Sequence, residues 1–210
     1  MSDPVREEYS RLAKRYDRRW GFYVRASTVE TLRRLAARPG EQILDVGCGT
    51  GILLAELLSQ VPDVAVFGID PCAEMLDVAR HRLPYETVMR QGSVDQLPFE
   101  DHTFDAVVSS SAFHYFREPD RALAEMRRVL KPSGRLIITD WCHDYLSCKI
   151  CDLWLRVFNK AHFKTYRSKE CRTLVGQAGL EDVRVERYRL NWFWGMMTAV
   201  GVSPSRSCLP

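Results

Sequence analysis

Charge of one sign is in short supply in this 210-residue chain: 30 lysines and arginines stand against 27 acids, a formal net charge of +3. So small an excess gives no argument for a nucleic acid, or for an anionic surface, from composition alone. A long apolar run is missing as well. The most hydrophobic stretch, Asn191 to Val202, falls short of the ~20 residues that span a bilayer, so no transmembrane segment is expected and only peripheral membrane contact stays open. The first ten residues, MSDPVREEYS, carry charge where a secretory signal has its apolar core. The seven cysteines cannot all pair within the chain, and without such a signal they read as reduced thiols, with a cytoplasmic location as the expectation. Internal repeats and low-complexity tracts are absent too. What remains is a composition 46% hydrophobic, enough for one domain with its own core.

The stretch that organises the chain is Gln42 to Gly51, QILDVGCGTG. Ile43, Leu44 and Val46 form the apolar run of a buried strand, Asp45 sits near its carboxyl end, and Gly47, Gly49 and Gly51 lead into the helical pattern of Ile52 to Leu58. Glycine suits a turn that is sharp and must let a ligand approach the backbone, and the first helical N–H groups are left facing that ligand. The spacing then discriminates. A nicotinamide fingerprint is G-x-G-x-x-G and holds a pyrophosphate; here it is G-x-G-x-G, with Asp45 placed to repel a diphosphate and attract a cation. The next strand, Val64 to Ile69, ends in Asp70, positioned to accept hydrogen bonds from both hydroxyls of a ribose. A nucleoside with a positive tail and no phosphate describes S-adenosylmethionine.

From about Tyr9 to about Tyr188 the chain resembles the class I S-adenosylmethionine-dependent methyltransferases, and leans toward the C-methyltransferases of quinone biosynthesis. The resemblance implies an α/β, Rossmann-like fold: a seven-stranded, mostly parallel sheet with helices on both faces and an antiparallel edge hairpin. The alternation of the sequence agrees. A charged helix runs from Asp3-Pro4 to about Trp20, and a second, capped by Ser27 or Thr28, runs to Ala37. Strands follow at 43–46, 64–69, 87–90, 104–109 and 135–139, with helices at 72–82 and 119–130 between them and a turn at Lys131 to Gly134. Helices at 146–158 and from Ser168 to Gly179 precede two strands, Val183 to Tyr188 and part of Trp192 to Val202. The organisation expected is one domain: residues 1–40 a helical lid, 41–140 the cofactor-binding half, 141–202 the acceptor-side helices and last two strands, and 203–210 a polar, disordered tail.

In an open parallel sheet, ligands bind beyond the carboxyl ends of the strands. That places Asp45, Gly47, Cys48 and Gly49 at the methionine part of the cofactor, Asp70 and Pro71 at the ribose, and Met75 over the adenine, unless Met75 is plain core. The segment Gly92-Ser93-Val94 to Phe99 is similar to the family's G-D-A-x-x-L-P-F, whose acid binds the adenine amino group; Ser93 stands in its place, so the departure is expected there. Ser109 ends the fourth strand and joins the cofactor-binding set. Tyr9, Tyr16 and Trp20 share one helix face, either packed on the body or, for Tyr16, covering a sulfonium with cation–π energy of roughly 0.5–2 kcal/mol.

The run Ser109 to Phe116 lacks the Asn/Asp-Pro-Pro-aromatic motif of methyltransferases acting on nucleic-acid or glutamine nitrogens. It is similar to the small-molecule branch, with no nucleic-acid partner implied, and it presents His114 as a candidate general base or as a structural hydrogen-bonding residue. Cys148 and Cys151, with His143, His162 and Cys171 nearby, invite a soft-metal reading, but one C-x-x-C without a second ligand pair reads as helix packing and no metal is assigned. The aromatics Trp154, Phe158, Phe163, Tyr166, Trp192, Phe193 and Trp194 either complete the core or face a lipophilic acceptor. The function these readings imply is methyl transfer to a small, lipophilic or aromatic acceptor. Arsenite or thiol methylation, a cofactor-binding protein without turnover, and a nicotinamide dehydrogenase stand as alternatives.

Overall fold

Seven strands form a single sheet in the order β3-β2-β1-β4-β5-β7-β6 in the computed structural model, which describes residues 4–159 and 162–205. Helix α1 (Pro4–Leu35) precedes β1 (Gln42–Val46), α2 (Ile52–Gln60), β2 (Ala65–Asp70), α3 (Ala73–Arg82) and β3 (Val88–Gln91). There follow β4 (Phe104–Ser110), a 3-10 turn (Phe113–Tyr115), α4 (Pro119–Val129), β5 (Leu130–Trp141), α5 (Leu146–Phe158), α6 (Ser168–Gln177), β6 (Glu181–Arg189) and β7 (Gly195–Val202). The first five strands pair in parallel, whereas β7 runs antiparallel between β5 and β6. The order reverses between β1 and β4, which opens a crevice beyond their carboxyl ends.

Strand periodicity divides the core in two. On one face Leu44, Val46, Phe104, Leu136 and Ile138 pack with Phe113 and Met126; on the other, Ile43, Val108 and Ile137 pack with Leu54, Leu57 and Leu76. Neighbours in sequence therefore anchor opposite layers, as the pleat requires.

The structure departs from the sequence reading at four places. Helix α1 is continuous, not two helices capped anew at Ser27 or Thr28: Ser27 Oγ donates back to the Val24 carbonyl, as Thr31 Oγ1 does to the Ser27 carbonyl, both bonds of a helix interior. The expected cap Asp3 lies outside the described residues. Lys131 to Gly134 is a bulge within β5, since Phe104 pairs with Leu130 and Ala106 already with Arg135. The tail begins in order: Ser203 is buried and exchanges backbone hydrogen bonds with Ser133 and Gly134, while 206–210 lie outside the described residues. Ser168 is the first residue of α6 instead of its cap; its N–H and hydroxyl both donate to the Asp144 carboxylate.

Gly195 opens β7 beneath the Tyr145 ring, where an added Cβ would come 2.1 Å from Cδ2 and 2.3 Å from Cγ. Because these atoms lie near the root of a packed side chain, Gly195→Ala is expected to cost about 1–3 kcal/mol and lower the melting temperature by several degrees in a thermal scan.

Candidate active site

The crevice at the β1/β4 switch point is a cavity built from the strand ends. Its floor is the glycine loop. The N–H groups of Gly47 and Cys48 both donate to the Ile69 carbonyl (2.8 and 3.1 Å), tying the loop to β2. Gly47 has φ +77, and a Cβ there would meet the Ala112 Cβ at 2.6 Å. Positive φ and a close neighbour thus both demand glycine at this position.

Two carboxylates hold the loop's electrostatics. Asp70 accepts hydrogen bonds from the N–H of Gly49 through Oδ2 and the N–H of Cys72 through Oδ1, each at 2.9 Å, so it joins the glycine loop to the start of α3. Burial raises its pKa to about 6, against those two N–H groups, which pull it down. Asp45 is wholly buried in the cavity wall, and its Oδ1 has no hydrogen-bond partner. Burial, with the charge of Asp70 added, pushes its pKa up to about 8. An unsatisfied buried carboxylate beside a second acid is costly unless a cation completes it. The pair therefore suits a positively charged ligand and opposes a diphosphate, as the loop spacing implied.

Most of the expected cofactor residues converge on this cavity: Tyr16, Asp45, Gly47, Cys48, Gly49, Asp70, Pro71, Met75, Gly92, Ser93 and Val94 all line it. Met75 is buried there, so the two readings of it coincide. Ser109 does not line it: fully buried, its hydroxyl donates to the Val46 carbonyl and locks β4 to β1. His114 is also absent from the lining. Its ring lies behind the wall, stacked on Trp141 with centroids 5.2 Å apart and against Tyr115 at 4.0 Å. Asp140 fixes it twice, accepting from the His114 N–H at 2.8 Å and contacting Nδ1 at 2.8 Å. Tyr115 is the neighbour that reaches the cavity, its hydroxyl 2.6 Å from that of Tyr9.

Helix α1 covers the opening. Tyr9, Tyr16, Val24, Ser27 and Thr28 contribute to the lining, and the helix is pinned to the glycine loop through Asp17. The Asp17 carboxylate accepts from Thr50 Oγ1 at 2.7 Å and pairs with Arg82, which also donates to the Thr50 carbonyl. The resemblance pointed to the Tyr16-Asp17 pair as part of a lid, and Asp17 makes these contacts to the glycine loop and α3. Asp95 was missed by sequence reasoning. It lines the cavity two residues beyond Ser93, whose hydroxyl donates to it at 3.0 Å, so a carboxylate enters this segment after all. The signal was the spacing Ser-Val-Asp.

Cys148 is buried and donates to the Gly195 carbonyl, Cys151 is half-buried, and no metal-binding group of three His, Cys, Asp or Glu occurs among the described residues.

The acid pair sets a pH dependence. Because the folded pKa of Asp45, about 8, stands above the ordinary 3.8, the unfolded chain loses this proton first. Stability of the ligand-free protein should thus fall as pH rises from 3.8 toward 8 and stay level above it. Asp45→Asn should flatten that slope in melting curves taken across the range; an unchanged slope would show that Asp45 does not carry it.

Comparison with known proteins agrees with this geometry. Residues 44–138 match the family model described as a methyltransferase domain. A demethylmenaquinone methyltransferase of Symbiobacterium thermophilum is 37% identical over 147 residues, covering 63% of this chain and 57% of that protein. Its counterpart in Deinococcus radiodurans is 34% identical over 151 residues, 65% of this chain and 60% of that protein. The chain thus spans less than two thirds of either relative. A solved chain from the complex of the Haloferax volcanii Trm112 methyltransferase activator superposes with a TM-score of 0.83 at 23% identity, covering 94% of this chain and 98% of that one. Family match, relatives and sheet order agree: residues 44–138 match a methyltransferase domain, and the chain is similar to the class I S-adenosylmethionine-dependent methyltransferases.

Proposed function

We propose that the protein moves the methyl group of S-adenosylmethionine to a small, lipophilic or aromatic acceptor by in-line displacement. The observation that carries the reading is the unpartnered, buried Asp45 oxygen beside the glycine loop, which a ligand bearing a cationic hydrogen-bond donor completes. Asp70, with two backbone donors already fixed, keeps lone pairs for the ribose hydroxyls, and Ser93 with Asp95 borders the adenine end. The cofactor brings the activated methyl, attached to a sulfonium that leaves readily. The chain's own contribution is alignment and exclusion of water, worth several kcal/mol of barrier in such reactions. Helix α1, held by Asp17, Thr50 and Arg82, serves as the lid.

The acceptor class rests on the aromatic cluster packed behind the cavity lining at Tyr115. Trp141 donates from Nε1 to the Tyr23 hydroxyl at 2.7 Å, and the Tyr23 and Trp194 rings meet at a tilt of 42° with centroids 4.9 Å apart, with Trp20 and Phe193 beside Trp194. Rigid rings of this kind suit a flat, weakly polar molecule, and relatives named demethylmenaquinone methyltransferases point the same way. Arsenite or thiol methylation finds little support: burial raises the pKa of Cys142 and Cys171 to about 12, which suppresses the thiolates that soft ligands need. His114, behind Tyr115 and clamped by Asp140, acts as a positioning residue for Tyr115 and Trp141 in this reading, the second of the two roles the sequence offered for it.

Calorimetric titration with S-adenosylhomocysteine should give saturable heat that Asp70→Ala reduces by about a hundredfold in affinity, through loss of both the ribose contacts and the loop anchor. Incubation with methyl-labelled cofactor and fractionated cell extract should place label in the lipid fraction. Label in protein or nucleic acid alone would refute the acceptor class. His114→Gln should retain cofactor affinity, lower kcat by about tenfold and leave the pH profile in place; a loss beyond ~100-fold with a missing pH limb would return it to the role of base.

A further inference from the structure

Helix α5 turns an unusually apolar face to solvent. Leu146, Ile150, Leu153, Trp154, Val157 and Phe158 are each between 58% and 70% exposed, and their helical spacing puts them on one arc of about 140°. The opposite face is docked through buried Cys148 and Asp152. Lys149 and Arg156 flank the arc on one side, Arg156 pairing with Asp152, and all the exposed charge on this helix is basic. Trp192, 84% exposed, stands on the β6–β7 turn, which is fastened to the start of α5 by Ser147 Oγ donating to the Phe193 carbonyl at 2.6 Å.

A second stripe lies on α1. From Arg11 to Val29 its described exposed residues are Arg11, Arg15, Arg18, Arg19, Phe22, Arg25 and Val29, with no acid among them; exposed Glu7 and half-buried Glu8 precede them on the same face. Both ends of α5 are tied to α1: Asn159 Nδ2 donates to Glu8 Oε1 at 3.1 Å, and Trp20, on the side of α1 away from the arginines, packs on Trp194 of the same turn that holds α5. An apolar arc carrying Trp and Phe, edged by Lys and Arg and tied to a helix with an arginine stripe, has the anatomy of a helix lying in the plane of a lipid interface. A two-fold contact with a second copy would bring this patch against itself and set basic margins against basic margins.

We propose that α5, together with the arginine stripe of α1, docks this protein on a bilayer containing anionic lipid. The helix that covers the cavity would then lie at the lipid boundary. Binding to vesicles needs neither cofactor nor methyl transfer, so this inference stands or falls apart from the function proposed above.

The test is co-sedimentation of the full chain with phosphatidylcholine vesicles, with and without phosphatidylglycerol, at low and high salt. Binding is expected to the phosphatidylglycerol vesicles and to weaken with salt. Leu153→Ser with Val157→Ser, and separately Arg15→Glu with Arg18→Glu, should each weaken it by about tenfold or more. Both pairs change exposed side chains, and circular dichroism and melting temperature check that each folds. Lack of vesicle binding by the parent protein would overturn the proposal, as would undiminished binding by both folded variants. So would a dimer in light scattering that Leu153→Ser with Val157→Ser converts to monomer.

Discussion

Everything in the site depends on two carboxylates that the sheet forces into proximity. Asp45 and Asp70 are carried by adjacent parallel strands whose register sets Asp45 opposite Gly68 and Val46 opposite Ile69. Both are buried, so neither can relax its charge into water, and the charge of Asp70 adds to the cost of ionising Asp45. Asp70 is partly compensated by two backbone N–H groups, one from the glycine loop and one from α3. Asp45 is left with an unpartnered oxygen. The ligand-free fold thus holds an unfavourable arrangement at the one place where a cation would relieve it, which is how a binding site differs from a packed core.

The glycine loop and α1 follow from that constraint. A loop that must present backbone to a ligand, donate Gly49 N–H to Asp70 and leave Ala112 room cannot carry a side chain at Gly47. Having small residues there opens the cavity to solvent on the side that β1 and β4 leave uncovered. Helix α1 closes it, and the closure is polar: Asp17 engages both Thr50 in the loop and Arg82 at the end of α3. The latch therefore spans the two segments that Asp70 also joins, so the position of the lid and the geometry of the acid pair are coupled through a short hydrogen-bonded chain. The tyrosines beneath it, Tyr9 and Tyr16, lie 5.7 Å apart and connect through Tyr115 to the wall that His114 supports.

What the sequence made legible was local. The strand, glycine turn and helix of 42–60, the acid at Asp70 and the alternation of elements depend on neighbours a few residues apart, where periodicity and backbone sterics act directly. What it hid was long-range. A hydroxyl at Ser27 or Thr28 fits a helix cap or a helix interior, and only contact of this stretch with the sheet, as through Thr31 and Ser110, favours the second. His114 next to Tyr115 gives no hint of which ring faces the cavity; Asp140, on another strand, decides it by clamping the imidazole from behind. Ser109 looked like a ligand contact from its position at a strand end, yet its hydroxyl is consumed by the Val46 carbonyl.

Helix α5 shows the same limit from the other side. Its sequence announces an amphipathic helix, and the ordinary inference is that the richer apolar face is the buried one. The sheet instead takes Cys148 and Asp152, because Asp152 has work to do inside: it accepts from His162 Nε2 at 2.9 Å and the Thr165 N–H at 2.7 Å, ordering the segment that leads to α6. Satisfying that buried carboxylate rotates the helix and sends Leu153, Trp154 and Val157 outward. The exposed hydrophobic surface is thus tied to a polar network beneath it. Restoring the conventional orientation would strand the charge of Asp152 outside its partners and leave His162 and Thr165 without theirs, so the helix keeps its apolar face toward whatever medium the protein meets.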